Sequence, residues 1–147
     1  MADADTLNRF VEAQNQDFTY QRALSELTKG RKQSHWMWFI FPQIAGLGRS
    51  QMAQHYAIQN LAEAERYLSH PILGPRLREC TAAILSWAGR KTAVDILGHT
   101  DAMKLHSCMT LFHEVNTAPA PSTTDDFSQA LTCFFDGVSD EATLARI

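Results

Sequence analysis

The stretch Gly30–Arg49, GRKQSHWMWFIFPQIAGLGR, decides how this chain is read. It holds two of the three tryptophans, a histidine, three cations, a Phe-Pro step and a Gly-x-Gly in twenty residues. Its centre, from Ser34 to Phe41, carries a continuous aromatic and apolar run, Trp36 to Phe41. Such a run suits either a buried strand or a fully buried helical turn. Pro42 stops it. No second convincing strand exists elsewhere for it to pair with, and an isolated strand or hairpin is barely stable. The segment is therefore read as a short buried helix, and the chain as all-α.

The flanking sequence follows the same rule. Leu7, Phe10 and Val11 form an apolar stripe at helical spacing, and Tyr20, Leu24 and Leu27 form the next. Gly30 ends the second as a C′ residue. Ser50 caps a helix reaching Tyr56, and Asn60 caps another through Leu68, which His70-Pro71 breaks. Pro75 fits the first turn of a helix carrying Leu77, Cys80, Ile84 and Trp87, closed by Gly89. Thr92 starts a short helix to Leu97, with Gly98 behind it. Asp101 is expected to cap a helix through Val115 that buries Leu105, Cys108 and Phe112. The Pro-rich segment Thr117–Ser122 reads as a loop. Ser122 and Asp125 resemble a capping box, opening a helix with Phe127, Leu131 and Phe134 or Phe135. Ser139 is expected to cap a last short helix. The sum is one compact domain, residues 1–147, of about six to eight short helices.

Bulk properties narrow the function. A chain of 147 residues with 45% hydrophobic and 20% charged residues can bury a core without staples. A net charge of −3 argues against a general nucleic-acid-coating protein. The charge is uneven, however. Five basic residues and one acid lie between Arg22 and Arg49, against one basic residue and six acids from Leu105 onward. The first half is thus where a local anion site would sit. Three well-separated cysteines, Cys80, Cys108 and Cys133, read as reduced core thiols of a cytoplasmic protein. The first ten residues lack the pattern of a secretory signal. The longest apolar run is too short to span a bilayer.

Candidate site residues cluster at the polar ends of the opening stretch. Arg31, Lys32, Ser34, His35, Trp36, Trp38, Gln43, Gly46, Gly48 and Arg49 form one group. A purely structural core segment does not need cations and glycines at both ends. A Gly-x-Gly before a helix can bare backbone N–H groups to an anion, and an arginine beside it adds a bidentate charge. Gly46-Leu47-Gly48 lacks the third glycine and the preceding strand of a dinucleotide fingerprint. Lys104 and Ser107 share a helix face and are expected to form a second wall. His35 ranks first as a general base, with Glu26 and Asp101 as acids. His99, His106 and His113 are spaced by seven, which places the last two roughly 10 Å apart, too far for one metal. No metal or cofactor is therefore expected.

Three blocks, GRKQSHWMWFIFPQIAGLGRS, YAIQNLAEAERYLSHPILGPRL and DAMKLHSCMTLF, resemble a small bacterial family of unknown function. Some of its members carry the label calpastatin. The resemblance runs from about Leu7 to Phe135 and implies an all-helical single-domain fold without implying an activity. The calpastatin label does not suit this chain, because a calpain inhibitor is a disordered, repetitive polypeptide. The expected function is binding of a small nucleotide-like or phosphorylated anion. The alternatives are a hydrolase acting on an ADP-ribose-like or other N-glycosidic substrate, suggested by a distant similarity to helical proteins acting on ADP-ribose, and a protein-interaction module.

Overall fold

A computed structural model describes residues 2–116 and 126–147. The expected loop at Thr117–Ser122 and the Ser122–Asp125 capping box lie outside the described residues. The α-helices run α1 Ala2–Asn15, α2 Thr19–Thr28, α3 Met37–Ile40, α4 Gln51–His55, α5 Leu61–Ser69, α6 Leu73–Leu85, α7 Ala93–Leu97, α8 His99–Asn116, α9 Asp126–Phe135 and α10 Glu141–Leu144. A turn of 3-10 helix, Gln16–Phe18, joins the first two. Among the described residues no strand forms, and a lone parallel bridge links Ile44 to Ile58.

The expected punctuation explains most helix ends. Ser50 accepts the Ala53 N–H at 3.1 Å, and Asn60 accepts the Glu63 N–H at 2.8 Å. Thr92 and Asp95 form a reciprocal capping box at 3.0 Å each way. The end of α2 is a Schellman turn. Gly30 N–H donates to Leu27 O and Arg31 N–H to Glu26 O, both at 3.0 Å. Gly30 adopts φ +75°, where a side chain is strained, and a Cβ there would lie 2.6 Å from the Trp87 ring.

Three sequence readings need correction. Asp101 does not cap α8, which begins two residues earlier at His99. Gly98 turns the chain at φ +88° and its carbonyl accepts the Ala102 N–H at 2.9 Å, so the cap is already made. Asp101 then falls in the first turn, where its carboxylate meets Lys32 and Lys104. Asp140, not Ser139, caps α10, because its carboxylate reaches the Thr143 N–H at 3.2 Å and hydroxyl at 2.6 Å. Cys80 and Cys108 are core thiols, but Cys133 is exposed. It lies near the C-terminal end of α9, beyond the buried Ala130 and Leu131.

The core is organised around α8. Leu105, Cys108, Met109, Thr110, Leu111 and Phe112 are all buried, so this helix is covered on nearly every side. It packs against α5, α7, α9 and α10. A chain of rings ties the layers together. Phe10 of α1 meets Tyr67 of α5 edge-on at 5.0 Å, Tyr67 meets Phe112 of α8 at 5.4 Å, and Phe112 meets Phe127 of α9 at 5.9 Å. The short helix α3 is buried as expected, Met37, Phe39 and Ile40 joining this core with Phe41 beside them, and Trp36, a candidate site residue, is buried there too. The buried amide of Gln14 donates to the Phe39 carbonyl at 2.8 Å, satisfying a group that so short a helix leaves open.

Candidate functional site

The polar flank before α3 is built on Glu26. This residue is 7% exposed, and its carboxylate accepts four hydrogen bonds. They come from the Gln33 N–H at 2.8 Å, the Ser34 N–H at 3.0 Å, the Ser34 hydroxyl at 2.6 Å and the Trp36 indole N–H at 2.8 Å. Burial pushes the carboxyl pKa up, but these donors together pull it below its ordinary value. Glu26 is thus an ionised clamp that fixes the loop 31–36. Ser34 and Trp36 are consumed by that clamp. Trp36 is fully buried.

The loop's cation continues the arrangement. Lys32 Nζ lies 3.0 Å from Asp101 Oδ2 and 5.1 Å from the Trp36 ring. Lys104 Nζ lies 3.4 Å from Asp101 Oδ1 and 5.1 Å from the Trp38 ring. One carboxylate at the start of α8 is therefore flanked by two lysines, each over a tryptophan face. Both indoles are electron-rich surfaces that suit a cation. The charges of Lys32, Lys104 and Asp101 sum to +1.

Lys104 also lines a cleft of about 450 Å³. One wall is α8, through Thr100, Met103, Lys104, His106 and Ser107. The second is the loop after α3, through Gln43, Leu47 and Gly48. The third is the start of α10, through Asp140 and Ala142. The second wall is held by Ile58, whose N–H donates to the Gln43 carbonyl and whose carbonyl accepts the Ala45 N–H, both at 2.8 Å. The third is held by Thr110 of α8, which accepts the Asp140 N–H at 2.9 Å, and by Ser107, which donates to Asp140 Oδ2 at 3.2 Å.

Of the residues singled out from sequence, Gln43, Gly48, Lys104 and Ser107 line this cleft together, with Trp38 behind Lys104. Arg31, His35 and Arg49 are exposed and outside its lining. The two glycines have steric roles. A Cβ at Gly48 would come within 2.4 Å of Ala53 Cβ, so glycine lets the loop close on α4. Gly46 has φ +99°, and a Cβ there would come within 2.8 Å of Arg146 Nε. The absent side chain makes room for the Arg146 guanidinium instead.

Sequence reasoning missed Thr100, Met103, His106 and Asp140. The first three follow from extending the Lys104–Ser107 face along α8. Asp140 lies 33 residues from Ser107, and no local signal joins them. Among the described residues no group of three or more His, Cys, Asp or Glu side chains is placed to hold a metal. None of their helices is long and apolar enough to cross a membrane.

The fold and cleft define a compact all-helical protein with a mixed polar-apolar cleft at the junction of three chain segments. Residues 4–147 match the family described as Protein of unknown function (DUF1810), and the chain belongs to that family. It is similar in structure to the conserved hypothetical protein Rv1873 from Mycobacterium tuberculosis, with a TM-score of 0.85 and 42% identity. That similarity covers 95% of this chain and 94% of the mycobacterial one. No curated protein matches the chain.

Proposed function

We propose that the cleft between α8, the loop after α3 and α10 binds a small molecule bearing an anionic group, with Lys104 as its cation. The observation that carries this reading is the placement of Lys104: at the cleft wall, over Trp38, and 3.4 Å from a carboxylate it shares with Lys32. Because Lys32 holds Asp101 more closely, at 3.0 Å, Lys104 can turn to a ligand without stranding that carboxylate. The cleft volume is in the range of small-ligand sites, which run to roughly 300–1,000 Å³.

Gln43 and Thr100 add neutral hydrogen-bonding groups for the remainder of the ligand. Asp140 opposes a purely anionic occupant, but suits one that also carries a hydroxyl or amino donor, as a sugar phosphate or nucleotide does. The proposal is for binding. His35, the base nominated from sequence, is exposed and lies outside the lining of the cleft. Thermal unfolding with ribose 5-phosphate, nucleoside phosphates and ADP-ribose tests the reading. A ligand at about 100 times its Kd raises stability by about 2.7 kcal/mol. No shift with any of them at millimolar concentration sinks it.

A further inference from the structure

We infer that the ligand of this cleft has two parts, the anionic group and a flat aromatic ring of nucleobase size, and that the ring occupies a second cavity next to the first. The inference rests on the anion-binding reading above and extends it. The second cavity, about 280 Å³, lies between α7, α8 and α9. Met103 and His106 line both cavities, so the two adjoin across those side chains.

The two cavities differ in chemistry. The first holds Lys104, Asp140 and Gln43. Among the described residues the second is lined by no lysine, arginine, aspartate or glutamate, and besides the shared pair it is bounded by Val94, His99, Phe134 and Phe135. An anion entering it would lose hydration without gaining a lysine or arginine partner. An apolar ring would gain burial instead.

Three observations favour a ring over a flexible chain. The His106 imidazole stacks on Phe135 with centroids 4.3 Å apart and planes within 10°. The Val138 carbonyl holds His106 Nε2 at 2.7 Å, so this aromatic deck is fixed. Met103 is 62% exposed and Val94 47% exposed, which leaves uncovered apolar surface at the rim. Methionine is an adaptable, polarizable contact for an aromatic edge. The α8 residues of the two cavities overlap along the helix axis, Thr100–Ser107 for the first and His99–His106 for the second, so the cavities lie on either side of the shared Met103 and His106. A nucleoside monophosphate would therefore lie across the Met103 and His106 side chains, with its phosphate at Lys104 and its base beyond Met103.

Calorimetry on the full chain tests this with adenosine 5′-monophosphate, ribose 5-phosphate and hexyl phosphate. Joining two binding halves gains affinity without new contacts at either, so the nucleotide is expected to bind at least about tenfold tighter than ribose 5-phosphate. Met103→Ala and Val94→Asn, both at exposed positions, are each expected to narrow that ratio by about threefold or more through lost apolar contact. If ribose 5-phosphate binds and the nucleotide binds no tighter, or both variants keep the wild-type ratio, the two-part ligand is wrong while the anion cleft stands. Tighter binding of hexyl phosphate than of the nucleotide overturns the ring in favour of an alkyl chain. Binding of none of the three overturns both readings.

Discussion

The indole N–H of Trp36 donates to Glu26 Oε1 at 2.8 Å across ten residues of chain. This bond joins the end of α2 to the start of α3 and carries the polar loop between them. A tryptophan buried without a partner would leave its N–H desolvated. A glutamate buried without donors would be more costly still. Each residue makes the other tolerable, and the loop 31–36 takes its shape from the pair.

Removing the clamp should therefore destabilise the fold far more than a surface change does. Glu26→Ala leaves the Trp36 indole and the Gln33 and Ser34 donors without their acceptor. Orphaned buried donors cost about 1–3 kcal/mol apiece, reduced where water can reach them. A total loss of roughly 3 kcal/mol is expected in urea denaturation. Glu26→Gln, which keeps one acceptor oxygen, should lose less. A loss under about 0.5 kcal/mol for the alanine variant, the range of ordinary surface changes, contradicts the clamp.

The same pair sets a pH dependence. For Glu26, burial raises the carboxyl pKa and the Ser34, Gln33 and Trp36 donors more than offset it, leaving the folded value below the ordinary 4.5. For Glu63, burial again raises it, and the Gln59 N–H and Arg9 lower it further than that, from the same 4.5. A folded pKa below the unfolded one means stability that is complete above 4.5 and lost as pH falls through the folded value. The urea midpoint should therefore fall on acidification below about pH 4.5, and fall less steeply in Glu26→Gln. Parallel pH profiles for the two proteins count against this assignment.

Lys104 and Asp101 should affect anion binding with opposite signs. Lys104→Ala removes the cation from the cleft wall and should weaken ribose 5-phosphate binding by about tenfold, the equivalent of 1.4 kcal/mol. Asp101→Asn removes the competing carboxylate 3.4 Å from Lys104 and should strengthen it a few-fold, at a cost to stability from the lost Lys32 pair. Titration calorimetry of both variants decides the matter. Weaker binding in Asp101→Asn shows that the carboxylate positions Lys104 instead of competing with the ligand.

The thiols should react as one and then as three. Cys133 is exposed, whereas burial pushes the Cys80 thiol up to about 12 and raises Cys108 well above its ordinary value. The thiolate is the reactive form. Native protein should therefore take up one equivalent of a thiol reagent quickly, and denatured protein all three of its cysteines. Rapid modification of two or more in the native state means the core opens locally around α6 or α8.

Much of this architecture is local in origin, and so it is legible along the chain. Ser50, Asn60, Thr92, Gly30 and Pro42 act on neighbours within a few residues, through side-chain caps, a positive φ or a missing N–H. The burial of Met37, Phe39, Ile40 and Phe41 follows from the hydrophobic run itself. Where two signals competed within one turn, the order of the residues was not enough. Gly98 displaced Asp101 as the start of α8, and Asp140 displaced Ser139 at α10.

The sequence by itself determined an all-helical chain with an unusual polar-aromatic stretch, because periodicity, capping and turn chemistry are short-range effects. Only the tertiary structure decided how that stretch divides. It committed Ser34 and Trp36 to Glu26, turned Arg31, His35 and Arg49 to solvent, and set Gln43 and Gly48 against Lys104, Ser107 and Asp140. The cleft residues come from positions tens of residues apart, and they meet because α8 runs through the centre of the core, where packing of the surrounding helices fixes which of its faces remains open.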